Sequence, residues 1–524
     1  MGKKWICTVL AAGLMISALV GCGNKASGEK QEGTSQTAAG EKVFVFGDTT
    51  FNAENGEPDI NPHNDNSGWA CIRYGVGETL FRFSDTMEIE PWLAESYENV
   101  DELTWKINLR DDVNFTSGRH MDGEAVKECL EALVTDHARA AENLHIAEIT
   151  AEGQTVTIRT EEPVAALINY LADPYGCIFD VQAGVTEEGI VSATGPYKAV
   201  SLVTDTQLEL VKNEDYWNGE PKLDKITVRT ISDGDTLTMA LQSGEINAAY
   251  GMPYASYPLF ENDKYTFTST PTSRVFFGAM NYESKITSDP AVRKAIAMGI
   301  DKEGFVETLL NGNGYAAVGV YPDNFSFGGD VVTTESYDPE GAKKVLEEAG
   351  WVDSDGDGIR EKDGKKLTLR WLTYPSRQEQ PLLAEAAQAT LGDIGFAVEV
   401  NNTADHNSIR VDSSAWDIYV SALVTAPTGD PEYFFTLRCL DSSSNNDGHY
   451  HNDQLEELAA QMKLTFDKEK REELGIQMQQ IILDDNAFVF CSHLRMSMIA
   501  QSTVTGLVAH PCDYYEITVD LDMA

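Results

Sequence analysis

Leu103-Thr104-Trp105-Lys106-Ile107-Asn108-Leu109 alternates apolar and polar residues, and shortly after it Asp122 precedes Ala125, Val126, Cys129, Leu130 and Leu133. The first run buries one face of a strand, because successive side chains point to opposite sides of a sheet. The second run places its apolar residues on one helix face, with the Asp122 carboxylate positioned to accept from the free N–H groups of the first turn. This strand-then-helix unit recurs along the chain. Residues 155–159 and 207–211 alternate in the same way, and Ile226 and Val228 share one side of another strand. Asp289-Pro290 and Asp338-Pro339 each set a capping carboxylate before a proline at the first helical position, where no N–H is needed. The helices they open present Val292, Ile296 and Ile300, then Ala342, Val345, Leu346 and Ala349, the second stopping at Gly350. Strands at 367–371 and 396–400 bracket a helix rich in Ala and Leu. Two C-terminal helices follow, carrying Leu455, Leu458, Ala459 and Met462, then Leu474, Met478, Ile481 and Ile482. No internal repeat interrupts the pattern, so the fold class is mixed α/β.

With 524 residues the chain has room for several domains of about 100–200 residues each. Lys and Arg total 39 against 84 Asp and Glu, a formal charge of −45. Such a polyanion repels phosphate backbones and anionic lipid headgroups, which excludes nucleic acid as a partner. A hydrophobic content of 42% with 9% aromatic residues is that of a globular protein.

The N-terminus reads as an export signal. Lys3 and Lys4 precede an apolar run over 5–20 that ends in Leu19-Val20-Gly21-Cys22. This ending resembles the bacterial lipobox, in which the signal (1–21) is removed and the Cys22 sulfur receives a lipid. Residues 22–42 are then expected to form a flexible tether, since 23–42 hold no large apolar residue. Acyl chains of this kind hold a soluble domain at a bilayer. Six further cysteines, Cys71, Cys129, Cys177, Cys439, Cys491 and Cys512, are scattered with no C-x-x-C. Export permits disulfides, but the spacing leaves pairing and buried free thiols equally open.

Several stretches, in order, resemble one family, the peptide/nickel class (family 5) of extracytoplasmic solute-binding proteins that serve ABC importers. The strand at 104–109 runs into Arg110 and then Val113-Asn114-Phe115; Thr194-Gly195-Pro196-Tyr197 is followed by Asn213-Glu214-Asp215-Tyr216-Trp217. Pro221-Lys222-Leu223-Asp224, Ala240-Leu241-Gln242-Ser243-Gly244-Glu245, Val292-Arg293-Lys294-Ala295-Ile296 and Ala349-Gly350-Trp351 continue the match. The resemblance implies a two-lobed fold of the type II periplasmic-binding-protein kind, with three domains, a hinge and a central ligand cleft. Lobe I would comprise 43–80, 192–278 and 496–524, with a second domain (81–191) inserted and the other lobe at 279–495. The crossings near Phe277, Gly278 and Asn281, and near 491–495, would form the hinge. The implied function is capture of a small solute, an oligopeptide or dipeptide, and its delivery to the permease of an importer whose ATPase is a separate subunit. A monomer and no resident cofactor are expected.

Ligand residues follow position by position. The aspartate that pairs with a peptide's α-amino group falls at Pro427, which carries no charge, while Asp430 opens the next helix. Ile60-Asn61-Pro62-His63 and Pro91-Trp92-Leu93-Ala94 resemble the nickel branch, which makes a nickel or other metal chelate the alternative cargo. His449 and His451 lie in a polar loop resembling one from which a histidine reaches the metal, and neutral imidazole suits Ni²⁺. Gly176 stands where a chelate-gripping arginine is expected, beside Tyr175, and Val424 and Thr428 replace an aromatic pair flanking Thr425. Arg139 could hold a carboxylate, and Trp69 could stack on the ligand. Asp353-x-Asp355-x-Asp357-Gly358 resembles the start of a calcium loop, but Gly364 occupies the position that needs a bidentate Glu. No G-x-S-x-G, H-E-x-x-H or P-loop pattern asks for catalysis, so an exported enzyme and a sensor or adhesion lipoprotein remain minor alternatives.

Overall fold

The computed structural model describes residues 40–524; the signal, Cys22 and most of the proposed tether lie outside them. Its centre is one eleven-stranded sheet. In chain order the strands are β1 (Val43–Asp48), β2 (Tyr197–Val203), β3 (Gln207–Lys212), β4 (Lys225–Thr230), β5 (Ala248–Tyr250), β6 (Tyr265–Met280), β7 (Gly314–Ala316), β8 (Thr368–Thr373), β9 (Ala397–Asn402), β10 (Ile418–Val424) and β11 (Phe488–Gln501). Across the sheet they run β2-β3-β4-β1-β5-β11-β6-β10-β8-β9, with β7 pairing on β11.

The two long strands, β6 and β11, are shared by both halves of the sheet. Tyr265–Thr270 pairs with Met496–Gln501, and Val275–Ala279 pairs with Phe488–His493. Between them the register slips at Pro271/Val275, where proline cannot donate to the ladder. Phe277 and Gly278 lie beyond this break in regular pairing with Ser421 and Val420, and Asn281 donates through Nδ2 to the carbonyls of Ser413 and Trp416 at 2.7 and 2.8 Å. At Gly278 any Cβ would sit 2.5 Å from Ile418 Cδ1, so glycine is what allows β6 and β10 to approach. The pairing of β6 with β11 is thus interrupted twice, at 271–275 and again between Phe276 and Phe277.

The 104–109 strand belongs to a separate four-stranded antiparallel sheet, in the order Ala94–Asp101, Thr104–Leu109, Thr155–Thr160, Ile146–Glu152. Helix α1 (Ser67–Arg73) precedes it. Helix α2 (Gly123–Asp136) packs on it through Ala125, Val126, Cys129, Leu130 and Leu133, and Asp122 Oδ1 accepts from the Ala125 N–H at 2.9 Å. On the far half of the main sheet lie α3 (Pro290–Gly299), α4 (Pro339–Glu348) and α5 (Glu379–Gly392). Val292, Ile296, Leu346, Leu383 and Leu391 form with Trp371 one buried cluster there. Helices α6 (Glu432–Arg438), α7 (Asp453–Lys463) and α8 (Lys468–Asp484) complete that side. Among the described residues no helix is long and apolar enough to cross a membrane. All six cysteines are buried thiols, Cys71 and Cys177 having their sulfurs 3.7 Å apart.

Candidate functional site

A cavity of about 560 Å³ opens where β5, β6, β10 and β11 end or cross, lined from both halves of the sheet. Helix α1 supplies Trp69 and Arg73, one turn apart and so on one face. This helix lies close to the inserted domain because residue 68 is glycine: a Cβ there would be 2.5 Å from the Pro174 carbonyl oxygen.

At the cavity floor Arg73 is enclosed by carboxylates. Its Nη1 donates to Glu57 at 3.1 Å, Nη2 is 3.7 Å from Asp513, and Nε is 3.3 Å from Glu516. Asp513 also accepts from Tyr250 Oη at 3.2 Å and from Arg274 Nη2 at 3.4 Å. Burial pushes the Glu57 carboxyl up to about 7, against the pull of Arg73, and raises Glu516 well above the carboxylate range. Both Glu516 oxygens are buried without a hydrogen bond, Oε1 lying 3.3 Å from Arg73 Nε.

The opposite wall is formed by Ala422, Leu423 and Val424 of β10, by Pro427 and Tyr433, and by Ser376, Arg377, Gln378 and Glu379 at the start of α5. Glu379 accepts from Tyr254 Oη. Arg495 spends Nε on Ser269 Oγ at 2.9 Å. Arg377 differs: its guanidinium makes no hydrogen bond or ion pair with any described residue, yet it lines the cavity. Burial, and then the charge of Arg377, pull Arg274 below the usual arginine range, the signature of two cations sharing a partly dry space. Two like charges in a cleft, one with all its donors free, make a site for a carboxylate.

The residues singled out from sequence divide clearly. Trp69 and Val424 line the cavity; Arg139, Tyr175, Thr425 and Thr428 do not. Arg139 is held by Asp173 through two bonds of 2.8 and 3.0 Å, with its guanidinium 4.7 Å from the Tyr175 ring centre and 5.5 Å from that of Trp69. Its donors face a buried carboxylate of the protein, so it braces Trp69 from behind. The Tyr175 ring is fully buried, and its hydroxyl accepts from Asn143 Nδ2 at 3.3 Å. Thr425 Oγ1 lies 3.0 and 2.9 Å from the carbonyls of Ser273 and Val320, pinning β10 to β6, and the Thr428 carbonyl accepts from Asn169 Nδ2 at 2.7 Å.

His449 and His451 are exposed on the far side's surface. His449 borders a separate depression with Arg410 and Asp447, and its Nε2 is 3.6 Å from Glu283. His451 lies 2.9 Å from Asp441 and 3.2 Å from Asp453, and the hydrogen bond to Asp441 raises its pKa. Asp441, His451 and Glu456 bring one donor atom each within 4.8 Å of one another. In the acidic turn, Lys366 bridges Asp355 and Asp357, supplying a positive charge from the chain itself.

Glu57, Arg274 and Arg377 escaped sequence reasoning. None lies in a motif, and each is one of 123 charged residues in a chain with 39 basic and 84 acidic ones. Only their shared cavity distinguishes them.

Residues 88–446, more than half of the chain, match the sequence profile described as bacterial extracellular solute-binding proteins, family 5 Middle. The chain is 26% identical over 450 residues to the nickel-binding protein NikA of Staphylococcus aureus, covering 85% of this chain and 89% of that protein. It is 29% identical over 430 residues to the glutathione-binding protein GsiB of Salmonella paratyphi A, covering 78% and 81%. The crystal structure of a nickel ABC transporter protein from Bacillus halodurans superposes with a TM-score of 0.78 at 30% identity, over 92% of this chain and 100% of that one.

Proposed function

Because the chain belongs to the bacterial extracellular solute-binding proteins of family 5, we propose that it captures a small carboxylate-bearing solute in its central cleft and hands it to an importer. Proteins of this family are the non-enzymatic, extracytoplasmic binding components of ABC importers, and they share a two-lobed type II fold and act with a permease and an ATPase. The observation that carries the reading is Arg377, a cavity-lining guanidinium with no hydrogen-bond or ion-pair partner among the described residues, set beside Arg274. A cavity of about 560 Å³ lies in the range of small-ligand sites, roughly 300–1,000 Å³. A short peptide offers the carboxylate and fits this volume, in line with the glutathione-binding relative. Closure follows when contacts from both halves of the sheet, available together only in the closed form, favour that form.

A nickel chelate is the second reading, favoured by the nickel-binding relative and by one feature of the wall. Among its described residues the cavity offers no imidazole or thiol, so a metal would arrive already coordinated, with the carboxylates of its organic ligand turned to Arg377. The metal would be cargo, not a resident cofactor. Anchoring at the outer face of the cell membrane through a lipid on Cys22, and a monomeric state, complete the proposal.

The test is native mass spectrometry of residues 23–524, mixed in turn with di- and tripeptides and with nickel–histidine. A peptide-sized adduct or a nickel-plus-chelator adduct is expected. Hydrogen bonds to charged groups are worth roughly 1.5–3 kcal/mol, so Arg377→Ala should weaken the adduct by about 10- to 100-fold. Undiminished binding in that variant would remove the assignment.

A further inference from the structure

We propose that Cys71 and Cys177 close to a disulfide outside the cytoplasm and staple the neck of the inserted domain. Their sulfurs lie 3.7 Å apart, and both residues are buried. A disulfide holds its sulfurs at about 2.05 Å, an approach of less than about 2 Å that small side-chain rotations supply. One stretch of chain fixes both backbones. The Cys71 carbonyl accepts from the N–H groups of Val76 and Gly77 at 3.0 and 3.1 Å, and Thr79 pairs with Cys177 where Glu78–Thr79 runs antiparallel to Cys177–Ile178. Gly77 makes the room for two sulfurs: a Cβ there would run into Cys177 Sγ and stand 2.8 Å from Cys71 Sγ. Its backbone is not left-handed, so glycine serves space at this position and not conformation. Cys129 is the neighbouring competitor, but its sulfur contacts the Cys177 carbonyl at 3.8 Å and His63 Nε2 at 3.9 Å, whereas Cys71 and Cys177 meet sulfur to sulfur.

The oxidant is an extracytoplasmic disulfide. One cysteine thiolate attacks it, forming a mixed disulfide and releasing a thiolate. The second cysteine thiolate then attacks the protein sulfur of the mixed disulfide and releases the other. The two cysteines give up two electrons and two protons, and the oxidant leaves as two thiols. Burial, and then Cys71 beside it, push the Cys177 thiol well above its ordinary value. The attacking thiolate is therefore scarce once the protein has folded, and closure belongs to folding. The link spans 106 residues, and the four-stranded sheet of the inserted domain, from Ala94 to Thr160, lies wholly within that loop. It also ties α1, which carries Trp69 and Arg73 to the cavity, to the chain returning from the inserted domain. Constraining so long a loop in the unfolded chain raises the melting midpoint.

The experiment exports residues 23–524 to an oxidising periplasm, collects the folded protein, and alkylates it in denaturant without reductant. Of the six cysteines, Cys71 and Cys177 are expected to escape alkylation, and trypsin should leave peptide 43–73 joined to peptide 160–198. Cys129→Ala should keep that link. The same chain made in a reducing cytoplasm should carry six alkylated cysteines and melt at a lower temperature. Six alkylated cysteines in the exported protein, a link through peptide 128–139, or small-thiol adducts in place of a link overturn the disulfide. Equal melting of the linked and reduced chains overturns the staple.

Discussion

Arg139 and Arg377 show how one residue type takes opposite roles according to its neighbours. Arg139 is bonded twice to Asp173, whose carboxylate is fully buried. Removing the guanidinium leaves that carboxylate enclosed without its counter-charge. Breaking a buried pair in this way costs roughly 3–5 kcal/mol; with Arg139 itself partly exposed, about 2–4 kcal/mol is the expected loss for Arg139→Ala. Urea unfolding of the variant measures it, and a loss below about 0.5 kcal/mol would show the pair to be an ordinary surface bridge. Arg377 has no such partner, so Arg377→Ala should leave stability nearly unchanged while ligand affinity falls. The same unfolding experiment separates the two arginines. Sequence pointed to Arg139 and passed over Arg377, because nothing local to residue 139 announces Asp173, and nothing near 377 announces its isolation.

At the scale of elements the caps were legible, because a cap is a local contract between a side chain and the next turn. Asp338 Oδ1 accepts from the Gly341 N–H at 2.9 Å, and Asp289 Oδ1 from the Ala291 N–H at 3.0 Å. Asp289 does more: its Oδ2 also accepts from Trp351 Nε1 at 3.1 Å and Lys362 Nζ at 3.0 Å, tying α3 to the segment after α4. Asp338→Ala should cost about 0.5–2 kcal/mol, the usual value of an N-cap, and Asp289→Ala measurably more. Burial raises the Asp289 carboxyl, but the bonds from Lys362 and Trp351 outweigh it and hold the pKa below the ordinary 3.8. Its contribution is therefore full above that value and is lost as pH falls through the lower, folded-state value. Equal destabilisation by the two substitutions at pH 7 would mean that the Trp351 and Lys362 contacts carry no weight. The strand at 104–109 and the helix after Asp122 were readable for the same local reason, whereas the bulge at 271–275 was not: Pro271 permits a break in pairing, but the partner strand, more than 200 residues away at Arg495, is what reveals it.

For the whole molecule the expected consequence is a closing motion. The halves of the sheet meet only along β6 and β11 at the centre, and the cavity draws on both. A ligand touching both halves of the sheet should stabilise the closed arrangement, so X-ray scattering with saturating cargo should give a smaller radius of gyration than the free protein. An unchanged radius would sink capture by closure. Against the formal charge of −45, the cavity gathers four arginines, Arg73, Arg274, Arg377 and Arg495, in its lining.

The amino-acid sequence by itself determined the mixed α/β class, the strand and helix starts, the export character and the family. Each of these is written in contiguous residues, in periodicity, caps and ordered motifs whose physics reaches only a few positions. The tertiary structure alone decided which side chains line the central cavity. Glu57, Arg274 and Arg377 come together from three distant stretches, while Arg139, Tyr175 and Thr425, singled out from sequence, turn into the protein and are satisfied there. A charge becomes a binding group only when folding leaves it unpaired beside a cavity, and that depends on every element packed around it.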